Sequence, residues 1–141
     1  MARILIMDDD AAIRLLLRIV FECSGYEVLE AGDGHEGMEC YRMGSPDLII
    51  TDLLMPRKGG LETISELRRE APQVKIIAMS GSTPHSDSNL LDVAKQWGAQ
   101  CAFQKPFRLS ELCEAVRELL QQPSSMSLRC GKPDRYDRFR Q

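Results

Sequence analysis

Residues 47–60 read DLIITDLLMPRKGG, and this stretch decides the fold. Asp47–Thr51 is almost continuously apolar and too short for a helix, as a strand covered on both faces should be. It ends in a carboxylate, Asp52, and runs on through the Met55-Pro56 turn and Gly59-Gly60. Leu61, Ile64, Leu67 and Ala71 then recur at helical spacing. Strand, acid at the strand end, turn and amphipathic helix therefore follow one another within about two dozen residues.

The alternation of strand-like runs with helical stripes continues along the chain. Arg3–Met7, Tyr26–Glu30, Val74–Met79 and Gln100–Gln104 are further short strand-like runs. Helical stripes lie between and after them: Ile13, Leu16, Leu17, Val20 and Phe21; a weaker one at Gly37, Met38 and Tyr41 within 34–44; Leu90, Val93, Ala94 and Trp97; and Leu109, Leu112, Cys113, Val116 and Leu120. Gly25, Gly44 and Gly98 stand where helices should stop. Five strands alternating with five helices predict an α/β fold, a doubly wound parallel sheet with right-handed crossovers.

Composition agrees with one domain of this kind. The chain has 141 residues, 43% of them hydrophobic and 28% charged, with a net charge of -3, which argues against a nucleic-acid coat. No apolar run reaches the roughly 20 residues of a membrane helix, and Asp8-Asp9-Asp10 cuts short the first apolar run, unlike a signal peptide. Pro123-Ser124-Ser125 marks a linker, so we expect a domain over 1–122 and a flexible basic tail over 123–141, too short for a DNA-binding domain. The tail carries +3 and the body -6. Cys23, Cys40, Cys101, Cys113 and Cys130 show no metal-ligand spacing, and four of them lie in apolar patterns, as small buried thiols of a reducing cytoplasm.

In an open parallel sheet, ligands bind beyond the carboxyl ends of the strands. There the sequence places Asp8, Asp9 and Asp10, then Asp52, Ser80 and Lys105. Clustered carboxylates call for a hard divalent cation, and an oxygen-only set suits Mg²⁺. A carboxylate can attack phosphorus, while Mg²⁺, Lys105 and a hydroxyl such as Ser80 meet the phosphoryl oxygens. Asp10 is better read as the cap of the first helix.

Four stretches, ILIMDDDAAIR (4–14), DLIITDLLMPRKGG (47–60), IIAMSGS (76–82) and GAQCAFQKPF (98–107), resemble the receiver domain of two-component response regulators over residues 2–121. The resemblance implies the strand order 2-1-3-4-5, the flavodoxin-like receiver fold. It implies Asp52 as phosphoacceptor, with Mg²⁺ held by Asp8, Asp9, Asp52 and the backbone carbonyl of Leu54. Ser80 becomes the hydroxyl switch, Lys105 the phosphoryl partner, and the bond before Pro106 cis. The implied partners are a histidine kinase or histidine phosphotransfer protein, and a downstream protein reading the surface of helix 4, strand 5 and helix 5. A stand-alone cytoplasmic protein is expected, one that catalyses only its own phosphorylation and slow dephosphorylation. Two departures stand out. Ala102 occupies the place of the usual switch aromatic, with Phe103 facing the other side of the strand, and Gly59 replaces a common aspartate.

Other readings compete. Gly32-Asp33-Gly34-His35-Glu36-Gly37 is formally a dinucleotide fingerprint, though it follows a poor candidate for a buried first strand. Asp8 and Asp10 also resemble the D-x-D of haloacid-dehalogenase-like phosphatases, in which Asp8 would be the nucleophile. A receiver fold that serves only as a phosphorylation-independent interaction module is the third. His35 and His85 read as solvated loop residues and Trp97 as core. The tail's Arg135-Tyr136-Asp137-Arg138-Phe139-Arg140 reads as a solvated end that mixes basic and aromatic residues.

Overall fold

The alternation of apolar runs becomes β1 (Arg3–Met7), α1 (Ala11–Cys23), β2 (Glu27–Ala31), α2 (Gly34–Gly44), β3 (Leu48–Asp52), α3 (Gly60–Glu70), β4 (Lys75–Ser80), α4 (Asp87–Trp97), β5 (Cys101–Gln104) and α5 (Leu109–Gln121). This computed structural model describes residues 1–81 and 87–121. His85, Cys130 and the tail expected over 123–141 lie outside the described residues. All strand pairings are parallel, in the order β2-β1-β3-β4-β5.

Side chains alternate across the strands and so feed two cores. Ile4, Ile6, Leu48, Ile50, Ile77, Met79, Cys101 and Phe103 pack against Leu17 and Phe21 of α1 and Leu112, Val116 and Leu119 of α5. Leu5, Met7, Ile49, Ile76, Ala78 and Ala102 face Met38 of α2, Ile64 and Leu67 of α3, and Leu91 and Ala94 of α4. Phe103 and Ala102 thus belong to opposite faces, and Phe103 is committed to the α1/α5 core beside Phe107.

Several expectations move. β2, β3 and β4 each start and end one residue later than read from the sequence, so Asp52 and Ser80 are the last residues of their strands rather than the first beyond them. Trp97 is 46% exposed rather than core. The buried face of α4 runs through Leu91 and Ala94, rotated by one position from the expected stripe, and Trp97 falls beside it at the helix end. Gly98, at φ +131°, ends that helix. Gly44 remains inside α2, and Ser45 takes the left-handed cap position at φ 45°. Cys23 is exposed, while Cys101 is buried. On α1, Leu16 is 47% exposed and forms a second apolar face with Leu15 and Ile19. Among the described residues no helix is long and apolar enough to cross a membrane.

Candidate functional site

The strand order fixes what can meet. β1 and β3 are central neighbours, so the residues at their carboxyl ends, Asp8 and Asp52, share one edge of the sheet with Asp9. One carboxylate oxygen from each of Asp8, Asp9 and Asp52 falls within 4.8 Å of the others. Lys105 follows β5, two strands from β3, and its backbone N–H donates to the Ser80 carbonyl at 2.8 Å. Its long stem bridges the rest. Lys105 Nζ donates to Asp8 Oδ2 at 2.8 Å and lies 3.7 Å from Asp52 Oδ2. The Lys105–Pro106 peptide bond is cis.

The three carboxylates differ in environment. Asp8 is fully buried, and both of its oxygens are engaged, Oδ2 by Lys105 and Oδ1 by the Asp10 N–H at 2.9 Å. Asp9 is exposed. Asp10 caps α1 by accepting the Ala12 N–H at 2.9 Å. Asp52 is buried, and its Oδ1 is fully enclosed with no hydrogen-bond partner among the described residues. Burial raises the Asp52 carboxyl from the usual 3.8 to about 6; Asp8 adds to the rise, while Lys105 and the Leu54 and Leu53 amides oppose it. An orphaned buried oxygen amid acidic groups is what a bound cation satisfies. The set is all oxygen, so it fits Mg²⁺.

Ser80 is buried at the end of β4, and the hydrogen bond described for its hydroxyl is a long one, 3.4 Å to the Gly81 carbonyl. A hydroxyl held so loosely can turn towards an incoming oxygen at little cost. The side chain of Leu54 is 49% exposed. Residues 82–86, which follow Gly81, lie outside the described residues.

Two further residues shape the site and were not read from the sequence. Arg14 Nη1 donates to the backbone carbonyl of Asp8 at 2.6 Å while its Nε is paired with Glu30 at 3.1 Å. The signal was an arginine one helical turn beyond the acidic cluster, which is common on any amphipathic helix. Gly60 packs on the phosphoacceptor candidate's own backbone. A Cβ there would strike the Asp52 carbonyl oxygen and lie 2.8 Å from Leu53 Cα. Neither atom can yield cheaply, so Gly60→Ala should destabilise the fold by about 1–3 kcal/mol and displace Asp52. Urea unfolding checks the first effect and phosphorylation rate the second; a variant as stable as wild type would contradict the packing argument.

In the glycine-rich stretch at 32–37, the amides of Gly32, Gly34, Glu36 and Gly37 already have acceptors within the protein, so they are not free to cradle a pyrophosphate. Gly32 N–H donates to Glu36 Oε1, Gly34 N–H to the Lys58 carbonyl, Glu36 N–H to Asp33 Oδ1 and Gly37 N–H to the Asp33 carbonyl. Gly37 is small because Met7 lies against it.

Comparison with known proteins agrees with this architecture. Residues 4–117 match the family described as the response regulator receiver domain. The chain is 38% identical over 117 residues to the transcriptional regulatory protein PdtaR of Mycobacterium tuberculosis, covering 81% of this chain but only 54% of that protein. The chain thus spans about half the length of that relative. It is 34% identical over 118 residues to the chemotaxis protein CheY of Thermotoga maritima, covering 83% of this chain and 96% of that one. A crystal structure of a response regulator receiver domain protein from Clostridium thermocellum superposes with a TM-score of 0.78 at 29% identity, covering 85% of this chain and 94% of that one. With the strand order, the acidic edge of the sheet and these likenesses in agreement, the chain belongs to the response regulator receiver family of two-component signal transduction.

Proposed function

We propose that this chain is a phosphoacceptor response regulator, in which Asp52 takes a phosphoryl group from a phosphohistidine of a histidine kinase or histidine phosphotransfer protein. The observation that carries the reading is the enclosed Oδ1 of Asp52, without a hydrogen-bond partner among the described residues, beside Asp8, Asp9 and Lys105. An Asp52 oxygen bonds to phosphorus as the P–N bond breaks, and the electron pair returns to the imidazole nitrogen. Asp8, Asp9, Asp52 and the Leu54 carbonyl would hold Mg²⁺, which supplies positive charge against the phosphoryl oxygens. Lys105, now on Asp8, is within reach to move its charge towards the new group, and Ser80 turns its hydroxyl to it. The protein turns over no external metabolite.

Asp8 is the weaker nucleophile candidate. Its side chain is 1% exposed against 9% for Asp52, and both of its oxygens already have partners. The receiver domain spans 1–122, with 123–141 as a tail. Output runs through the surface of α4, β5 and α5, which a shift at Ser80 would reach through the end of β4.

The phosphodonor needs its own surface next to Asp52. α1 starts directly after Asp10 and exposes Leu15, Leu16 and Ile19 at 56%, 47% and 52%. These are three large apolar side chains on a helix whose other face is already packed in the core, as a docking face for a helical partner. Ile19→Glu should slow phosphotransfer from a purified phosphohistidine protein by at least about tenfold while leaving labelling by acetyl phosphate unchanged. Equal loss with both donors would mean damage to the site rather than to docking. Failure of a panel of purified histidine kinases to label the wild-type chain would count against the function itself.

A further inference from the structure

Arg57 holds a backbone conformation that its residue type resists. Its φ is +65°, in the left-handed region that favours glycine. Around it, the Lys58 N–H donates to the Pro56 carbonyl at 2.7 Å. That is a γ-turn of the positive-φ hand, which is rare and strained. A residue with a side chain persists there only where its surroundings over-determine it.

The surroundings are specific. Arg57 Nε donates to Asp33 Oδ2 at 2.7 Å. The other oxygen, Asp33 Oδ1, accepts the Glu36 N–H at 2.9 Å and caps α2. The next amide, Gly34 N–H, donates to the Lys58 carbonyl at 3.0 Å. A Cβ at Gly34 would lie 2.9 Å from that carbonyl oxygen and collide with the Thr63 hydroxyl. Residues 33 and 34 therefore fasten both 57 and 58. The base of the loop is closed separately: Leu53 N–H donates to the Met79 carbonyl, and Gly60 N–H donates to the Leu53 carbonyl. Leu54 sits between these two fixings.

We infer that Asp33 and Arg57 are positioning residues for the divalent-cation site, holding the strained turn that follows Leu54, whose backbone carbonyl the proposed function gives to Mg²⁺ together with Asp8, Asp9 and Asp52. The inference rests on the reading of that site as Mg²⁺-binding. A helix cap alone needs one carboxylate oxygen, and Asp33 spends the second on Arg57. Asp33's side chain is 8% exposed and Arg57's 68%, so a mostly solvated arginine is drawn back onto a shielded carboxylate. An ion pair of that kind stabilises a fold little by itself. Its consequence is geometric.

Charge alone predicts the opposite outcome. Removing the Arg57 cation makes the neighbourhood more negative and should tighten a cation site. The test uses the full chain, titrated with Mg²⁺ while the backbone amide shifts of Asp52, Leu53 and Leu54 are followed by NMR. Arg57→Ala, which keeps the strain without its clamp, should bind Mg²⁺ about fivefold more weakly or worse. Asp33→Asn, which still caps a helix well, should do the same. Arg57→Gly has the same charge as Arg57→Ala but tolerates positive φ, and should bind within about twofold of wild type. The inference is overturned if Arg57→Ala binds as tightly as wild type or tighter, if Asp33→Asn is unaltered, or if Arg57→Gly is as weak as Arg57→Ala. A wild-type chain that shows no Mg²⁺-dependent shifts overturns instead the reading of the site, and the inference falls with it.

Discussion

Asp52→Asn should take up no phosphoryl group from acetyl phosphate in the presence of Mg²⁺, a fall of at least about a hundredfold in labelling rate. Asparagine keeps the shape and the buried position but removes the nucleophile, because the amide oxygen is a poor attacker of phosphorus. Asp8→Asn should behave differently. It removes a cation-binding oxygen and the anchor of Lys105 Nζ, so labelling should slow, yet whatever label appears should still sit on Asp52. Mapping the labelled peptide separates the two. Normal stoichiometry in Asp52→Asn, with phosphate on Asp8, would favour the phosphatase-like use of Asp8. No labelling of wild type by any donor would favour the interaction-module reading.

How much of this was legible beforehand follows from where each signal resides. The sheet was legible because Leu48-Ile49-Ile50 and Ile76-Ile77 are buried on both faces, and continuous burial leaves a continuous apolar run. The site was legible because the carboxyl ends of the strand runs carry Asp8, Asp52, Ser80 and Lys105, and parallel topology brings all such ends to one edge of the sheet. Strand ends were misread by one residue because Asp52 and Ser80 look like terminators, yet their backbones still pair with Met79 and Gln104. The outer face of α1 was hidden because a helix with apolar residues on both sides offers no contrast to its core stripe. The rotation of α4 depended on tertiary fit, which Leu90, Val93 and Trp97 do not announce. Arg57 was invisible for a further reason. Glycine and asparagine signal positive φ, and an arginine held there by Asp33, 24 residues away, leaves no local mark.

The same buried carboxylate should make the cation-free protein pH-sensitive, in a direction opposite to that of a salt-bridged acid. Asp52's carboxyl lies near 3.8 when unfolded and at about 6 in the fold, chiefly through burial. Below the lower value both states are protonated there, and this residue adds nothing to the pH dependence. Between the two values the folded state holds a proton that the unfolded state has lost, so stability falls as pH rises. Above about 6 the loss is complete, and the gap between 3.8 and about 6 corresponds to about 3 kcal/mol. Asp52→Asn removes that cost. In chelator at pH 8 it should therefore melt higher than wild type, by an amount on the order of 10 °C for a domain of this size. At pH 4 the two should melt nearly together. Mg²⁺ should then raise the wild-type melting temperature by mass action and the variant's much less, narrowing the difference at pH 8. Thermal melts of both proteins at the two pH values, in chelator and in Mg²⁺, give all the comparisons. A variant no more stable than wild type at pH 8 in chelator would mean that ionised Asp52 is already well satisfied without a cation, and that the carboxylate cluster stores no repulsion for Mg²⁺ to relieve.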